Sequence, residues 1–269
     1  MAKTKKKSGK LIGEYRLTKQ IASGGMATTY LAEHGLSGLP VCIKHAHEVS
    51  AADEKLMMEE VKAIWDLRHW AIPAIRNVIR LDDGSIAIVM SYVPGPTVAE
   101  VVEKKGGMDP EHVAWVAERV LNALRYLHDH AVIHGDVKPH NIIIQPDTHQ
   151  VVLVDYGLSL VRPRKKTINK GCTPAFAAPE QQKDMPLIPE TDLYGLGVTM
   201  IFALGGDFKK LKVPLHTPDP LCEFIRDLVV YDPLNRPNWE KEDLCQKISD
   251  VREASFGRRF SEMKPLEGV

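Results

Sequence analysis

The stretch from His134 to Gly157 constrains this chain more than any other. It reads His134-Gly135-Asp136-Val137-Lys138-Pro139-His140-Asn141, then Ile142-Ile143-Ile144, then Gln145-Pro146-Asp147, and later Val151-Val152-Leu153-Val154 followed by Asp155-Tyr156-Gly157. The two apolar runs are short, β-branched and separated by turn residues, which predicts a pair of strands around a turn. Asp136, Lys138 and Asn141 on one side and Asp155 on the other border that hairpin, so they can converge on one point. Such a set suits phosphoryl transfer. One carboxylate accepts the proton of an attacking hydroxyl, a lysine neutralises the transferred group, and an Asn and a second Asp hold a magnesium ion.

A chain of 269 residues, 44% hydrophobic and 26% charged, is long enough for one large core or two lobes. No apolar run approaches the ~20 residues that span a bilayer, and no apolar signal core follows the N-terminus. Cys42, Cys172, Cys222 and Cys245 lack metal-ligand spacing and suit a reducing compartment, so a cytoplasmic location without a transmembrane segment is expected. The formal charge is zero but unevenly spread. Lys3, Lys5, Lys6, Lys7 and Lys10 make residues 1–13 a basic tail, read as solvated and disordered, and leave the rest at 30 basic against 35 acidic residues. That acidic body argues against a nucleic-acid partner.

From Glu14 to Met90 the pattern is strand-like. Tyr15–Ile21, Thr28–Ala32, Leu39–Lys44, Asn77–Leu81 and Ser85–Met90 read as strands, interrupted by a helix-period stretch from Ala51 to Arg68. From Val98 onward the chain reads as helical. Pro110–His130 opens on Asp109 and Pro110, Thr191–Leu204 is apolar all round and hence central, and Leu221–Val230 and Glu240–Ala254 follow.

The stretch His134–Gly157 resembles the catalytic loop and magnesium motif of the eukaryotic-type protein kinases, H-R-D-L-x-x-x-N and D-F-G. It departs from them at Gly135, where arginine is usual, and conservatively at Tyr156. Other segments follow the family order. Ser23-Gly24-Gly25-Met26-Ala27 lies in the first strand turn and is similar to the bacterial serine/threonine kinases, although G-x-G-x-x-G falls on Ala22, Gly24 and Ala27. Val41-Cys42-Ile43-Lys44 matches V-A-I-K, and Ala178-Pro179-Glu180 matches A-P-E.

The resemblance covers about residues 14–254 and implies an α+β, bilobal kinase fold. The β-rich lobe would run over about 14–90, a hinge over 91–96 and a helical lobe over 97–254, with a C-terminal extension over 255–269. It implies an ATP-dependent serine/threonine kinase acting on protein hydroxyls, with Mg²⁺ or Mn²⁺. Asp136 would be the base, Lys138 and Lys44 the phosphate-charge partners, and Glu60 (or Glu59) the acid that holds Lys44. Asn141 and Asp155 would hold the metal. Gly24 and Gly25 would approach the phosphates, and Ile21, Thr29, Cys42 and Ile143 would sandwich the adenine, with Met90 behind it and backbone groups of Ser91 and Val93 at its edge. Thr173 would bond Asp136, Asp192 would brace the catalytic loop, and Arg236 would pair with Glu180. His134 would pack beneath Tyr156. Two alternatives stay open: a nucleotide-binding scaffold without turnover, suggested by the two missing glycines, and a kinase of small molecules, suggested by the short span from Asp192 to Arg236.

Overall fold

Period-2 alternation of apolar and polar residues along the first third of the chain produces an antiparallel sheet. The structure, a computed structural model, describes residues 10–146, 148–164 and 166–258. Among these, β1 (Leu11–Ile12), β2 (Tyr15–Ser23), β3 (Ala27–His34), β4 (Pro40–Ala46), β5 (Ile75–Arg80) and β6 (Ile86–Ser91) form one sheet in the order β1-β2-β3-β4-β6-β5. One face buries Ile12, Tyr15, Ala32, Ile43, Ala87 and Val89. On the other, Ala46, Ile86 and Ile88 pack against Met57 and Val61 of α1 (Ala51–Ile64). Ser50 caps α1 by accepting from Asp53 N at 3.0 Å. The helix ends four residues before the expected Arg68, where Leu67 N folds back to Ile64 O at 3.2 Å.

Two compact units emerge. One takes the chain up to Leu67 together with Pro73–Val93, and the other takes Arg68–Ile72 together with the chain from Pro94. The break after Val93 lies within the expected connector 91–96. The expected start at residue 14 moves back, because Leu11 pairs with Arg16 and Ile12, wholly buried, pairs with Tyr15. An apolar residue inside the basic tail thus has a core to enter. Lys3, Lys5, Lys6 and Lys7, the turn residue Asp147, Lys165 and residues 259–269 lie outside the described residues.

The second unit is mainly helical. It holds α2 (Val98–Lys105), α3 (Pro110–Asp129), α4 (Pro179–Gln182), α5 (Pro189–Ala203), α6 (Asp219–Leu228) and α7 (Leu244–Phe256), with short strands β7 (Val132–Ile133), β8 (Ile142–Gln145), β9 (Gln150–Leu153) and β10 (Leu160–Val161). Asp109 caps α3 on Glu111 N at 2.9 Å, with Pro110 in its first turn. α7 starts four residues later than expected because Asp243 supplies the cap, accepting from Cys245 N and Gln246 N. α5 is buried nearly throughout, as its all-round apolar sequence requires. A Cβ at Gly195 would come within 2.8 Å of Val137 O, so that glycine lets the loop after β7 lie directly on α5. Among the described residues, no helix is long and apolar enough to cross a membrane.

Candidate active site

The hairpin forms as the sequence predicts. Ile142 pairs with Leu153 and Ile144 with Val151, and Val154 N donates to Asn141 O at 2.8 Å, which closes the hairpin at its polar end. That closure brings Asn141 and Asp155 to the same end of one small element. Asp136, 8% exposed, lies at the centre of a hydrogen-bonded group. Lys138 Nζ is 2.7 Å from its Oδ2, Thr173 Oγ1 donates to its Oδ1 at 2.7 Å, and Lys138 Nζ also donates to Thr173 Oγ1 at 2.8 Å. Asn141 Nδ2 donates to Asp136 O at 2.9 Å and to Oδ2 at 3.0 Å. With its amide nitrogen so used, Asn141 has its carbonyl oxygen to offer a cation. Asp155 is exposed and adopts φ 64°, a left-handed conformation costly for a residue with a Cβ. A carboxamide oxygen and an exposed carboxylate fit Mg²⁺, which takes one or two protein oxygens and completes its shell with substrate phosphates and water.

The backbone around Asp136 is held from behind. Asp192, 1% exposed at the start of α5, accepts from His134 N and Gly135 N, each at 2.8 Å. His128 Nε2 makes a third bond to Asp192 at 2.8 Å, and Trp239 Nε1 donates to His128 Nδ1 at 2.8 Å. An indole N–H is donor only, so Nδ1 accepts and the His128 proton sits on Nε2, facing the carboxylate. His134 packs edge-on against Tyr156, with centroids 4.9 Å apart, and Tyr156 OH donates to Leu153 O. Burial raises the Tyr156 phenol well above its ordinary range.

The segment after Asp155 is tied to this loop and to itself by hydrogen bonds. β10 pairs with β7, Ser159 Oγ donates to His134 O at 3.0 Å, and Lys170 Nζ donates to Ser159 O at 2.8 Å. Gln181, buried, donates to Gly135 O at 2.7 Å. Glu180 receives a two-pronged bond from Arg236 at 2.7 and 2.8 Å, both side chains being almost wholly buried. The expected Thr173, Asp192 and Arg236 contacts are therefore present, and Ser159, Lys170, Gln181 and Trp239 add bonds that no motif in the sequence signals.

In the first unit, strand register decides which side chains share a face. Lys44 lies opposite Thr29 and Ile88, and Cys42 lies opposite Met90, so Thr29, Cys42, Lys44 and Met90 project to one side of the sheet. That is the side where α1 packs, and Lys44 Nζ meets Glu60 Oε2 at 2.7 Å with both groups largely buried. Burial pushes the Cys42 thiol up to about 11, partly offset by the Lys44 ammonium. Ile21 sits at an irregularity between the Gln20 and Ala22 pairings and is exposed, and Ile143 belongs to β8 in the other unit. Ser91 N donates to Ala74 O at 2.9 Å and Ser91 Oγ accepts from Ala74 N, because the antiparallel pairing of β6 with β5 continues one residue past Met90 and Ile75. Its amide is thus already used, leaving the Ser91 carbonyl and Val93 for an adenine edge.

Gly24 and Gly25 sit in the β2–β3 turn, closed by Gly24 N to Ala27 O at 2.9 Å. Neither has a positive φ, and a Cβ at Gly25 would meet nothing within 4 Å. The turn itself does not demand glycine there, whereas close approach of a phosphate to bare N–H groups does. His47 braces the turn, with Nε2 2.7 Å from Thr28 Oγ1 and Nδ1 3.2 Å from Gly25 O. No short motif signals that brace.

Residues 15–210 match the family model described as the protein kinase domain. Serine/threonine-protein kinase ppk25 of Schizosaccharomyces pombe is 27% identical over 94% of this chain and 59% of its own length. Serine/threonine-protein kinase AfsK of Streptomyces griseus is 29% identical over 78% of the chain and 26% of its own. For serine/threonine-protein kinase PrkC of Bacillus subtilis the figures are 27%, 73% and 31%. The chain thus spans between about a quarter and three fifths of the length of these curated relatives.

Proposed function

This chain belongs to the protein kinase family, and we propose that it transfers the γ-phosphoryl group of ATP to a serine or threonine hydroxyl of a protein, in the cytoplasm. The observation that carries the proposal is the Asp136 group: a largely buried carboxylate held by Lys138, Thr173 and Asn141 beside the hairpin end that bears Asp155. In this reading Asp136 orients the acceptor hydroxyl and takes its proton as the oxygen attacks phosphorus. Lys138, already beside Asp136, offsets charge on the transferred group, and Lys44, held by Glu60, meets the α- and β-phosphates. Asn141 and Asp155 would hold Mg²⁺, which supplies charge neutralisation on the phosphates when bound. Gly24 and Gly25 admit the phosphates to the backbone of the β2–β3 turn. The complete set of polar groups speaks against a scaffold without turnover.

Incubating the chain with radiolabelled ATP and a mixture of serine- and threonine-containing proteins tests this directly. Asp136→Asn should lower transfer by about 10²–10⁴-fold with nucleotide affinity nearly unchanged, because the base acts on the acceptor. Asp155→Asn should weaken Mg·ATP binding as well. If the Asp136→Asn chain kept more than about a tenth of the rate, the role given to Asp136 would be wrong.

A further inference from the structure

The connection between α5 and α6 forms no helix from Gly205 to Pro218. Asp207 and Lys212 pair instead as an isolated antiparallel bridge, with Lys212 N donating to Asp207 O at 2.9 Å. Side chains within the bridge divide by chemistry. Phe208 and Leu211 pack against a cluster that includes Phe176, Tyr194 and Val198, and Phe208 stacks on the Phe176 ring at 5.2 Å with the planes 1° apart. Lys209, Lys210 and Lys212 are exposed, and Lys210 Nζ lies 3.7 Å from Oδ2 of the exposed Asp207, which leaves the loop net positive. Leu211 is held at φ 53°, a conformation that a γ-branched residue rarely adopts, so its inward packing offsets local strain and fixes the loop.

Phe176 connects this loop to the candidate site. Phe176 N donates to Thr173 O at 2.9 Å, and Thr173 Oγ1 donates to Asp136 at 2.7 Å. The three lysines are therefore anchored to the segment that abuts the carboxylate where an acceptor hydroxyl must arrive. That segment carries further exposed cations, Arg162, Arg164, Lys166 and Lys183, against the exposed acids Asp155 and Asp184, while Glu180 and Asp192 are buried and already bonded. The charge stands out against a body that is net acidic beyond the tail.

We infer that the Lys209–Lys210–Lys212 loop is a docking surface for acidic side chains flanking the acceptor residue of a protein substrate. The inference rests on the phosphotransfer reading and names a substrate class for it. Three ammonium groups against one carboxylate, Asp207, on a rigid support raise the local concentration of an anionic peptide and steer its encounter, an effect that salt screens. An aromatic ring turned outward would have favoured stacked bases, but the loop's one aromatic, Phe208, is turned inward against Phe176.

The test uses fluorescein-labelled serine peptides of equal length, flanked by aspartate, alanine or lysine, and reads binding to the whole chain by anisotropy. At about 0.05 M salt the aspartate peptide should bind about tenfold tighter than the alanine peptide, and at about 0.5 M the two should come within about twofold. Lys209→Glu/Lys210→Glu/Lys212→Glu should abolish or invert that ratio. Lys19→Glu/Lys55→Glu/Lys241→Glu, with the same charge change at exposed positions elsewhere, should preserve it. Equal affinities for the three peptides, or a ratio indifferent to the loop substitutions, would overturn the docking surface. Loop-dependent binding of phosphatidylserine vesicles or of an RNA oligonucleotide without peptide preference would overturn it too. A preference in binding with no phosphate transfer to any peptide would count against the phosphotransfer reading alone.

Discussion

Replacing Thr173 by valine removes one hydroxyl and keeps the shape of the side chain. That hydroxyl accepts from Lys138 Nζ at 2.8 Å and donates to Asp136 Oδ1 at 2.7 Å, so two charge-assisted bonds are lost together. Asp136 is not orphaned, because Lys138 and Asn141 still reach its Oδ2 at 2.7 and 3.0 Å. The loss is therefore one of orientation, with no buried charge left unpaired. Hydrogen bonds to charged groups contribute about 1.5–3 kcal/mol each. If one such bond's worth is expressed in the transition state, kcat falls by about 10- to 150-fold. The KM for ATP should stay within about twofold, since neither lost bond holds the nucleotide. Thr173→Ser should recover most of the rate by restoring the hydroxyl. Initial rates at varied ATP and at saturating protein substrate measure both parameters. A valine variant within threefold of the parent in kcat, or a serine variant as slow as the valine one, would refute the positioning role.

Arg236→Leu should destabilise the helical unit by about 3–5 kcal/mol by leaving Glu180 buried without its partner, whereas Arg236→Met/Glu180→Leu should recover much of that loss. Urea unfolding followed by the fluorescence of Trp70, Trp115 and Trp239 measures it, and a loss below ~1 kcal/mol would contradict the burial argument. Cys42, held near 11 by burial, should react with iodoacetamide at a rate that climbs about tenfold per pH unit from pH 8 to 10, while an ordinary thiol levels off near 9. Mg·ATP should slow that reaction, and equal rates with and without nucleotide, read by peptide mapping, would remove Cys42 from the pocket. Thr167→Ala and phosphatase treatment should each leave activity within a few-fold, because β10, Ser159 and Gln181 already hold the segment to the catalytic loop and Lys170 ties it to itself. A loss of about 10²-fold, or ~2.7 kcal/mol of barrier, would show that a phosphate orders it. Gly135→Arg should not add a phosphate-binding arginine but destabilise the chain, since φ is 75° and a Cβ would lie 2.9 Å from Leu158 O; thermal unfolding reads the loss, and an unchanged midpoint would refute the strain argument.

Sequence alone sufficed for the local geometry. A short β-branched run on either side of a turn can only pair with itself, and pairing Ile142 with Leu153 brings Asn141 and Asp155 to one end. Alternation along Val41–Lys44 likewise puts Cys42 and Lys44 on the same face, and the Asp109-Pro110 start of α3 is a matter of capping chemistry. What only the tertiary structure decided are partnerships with backbone groups or across long separations. Gln181 reaches a carbonyl 46 residues earlier, and a carbonyl carries no residue identity for a pattern to find. The Ser91 amide was spent on Ala74 for the same reason, and the boundary of the tail moved because burying Ile12 depends on a sheet that exists only once the strands have paired. The lysine loop between α5 and α6 reads in sequence as an ordinary charged connection. The packing of Phe208 and Leu211 on the Phe176 cluster ties its charge to the segment that bonds Asp136.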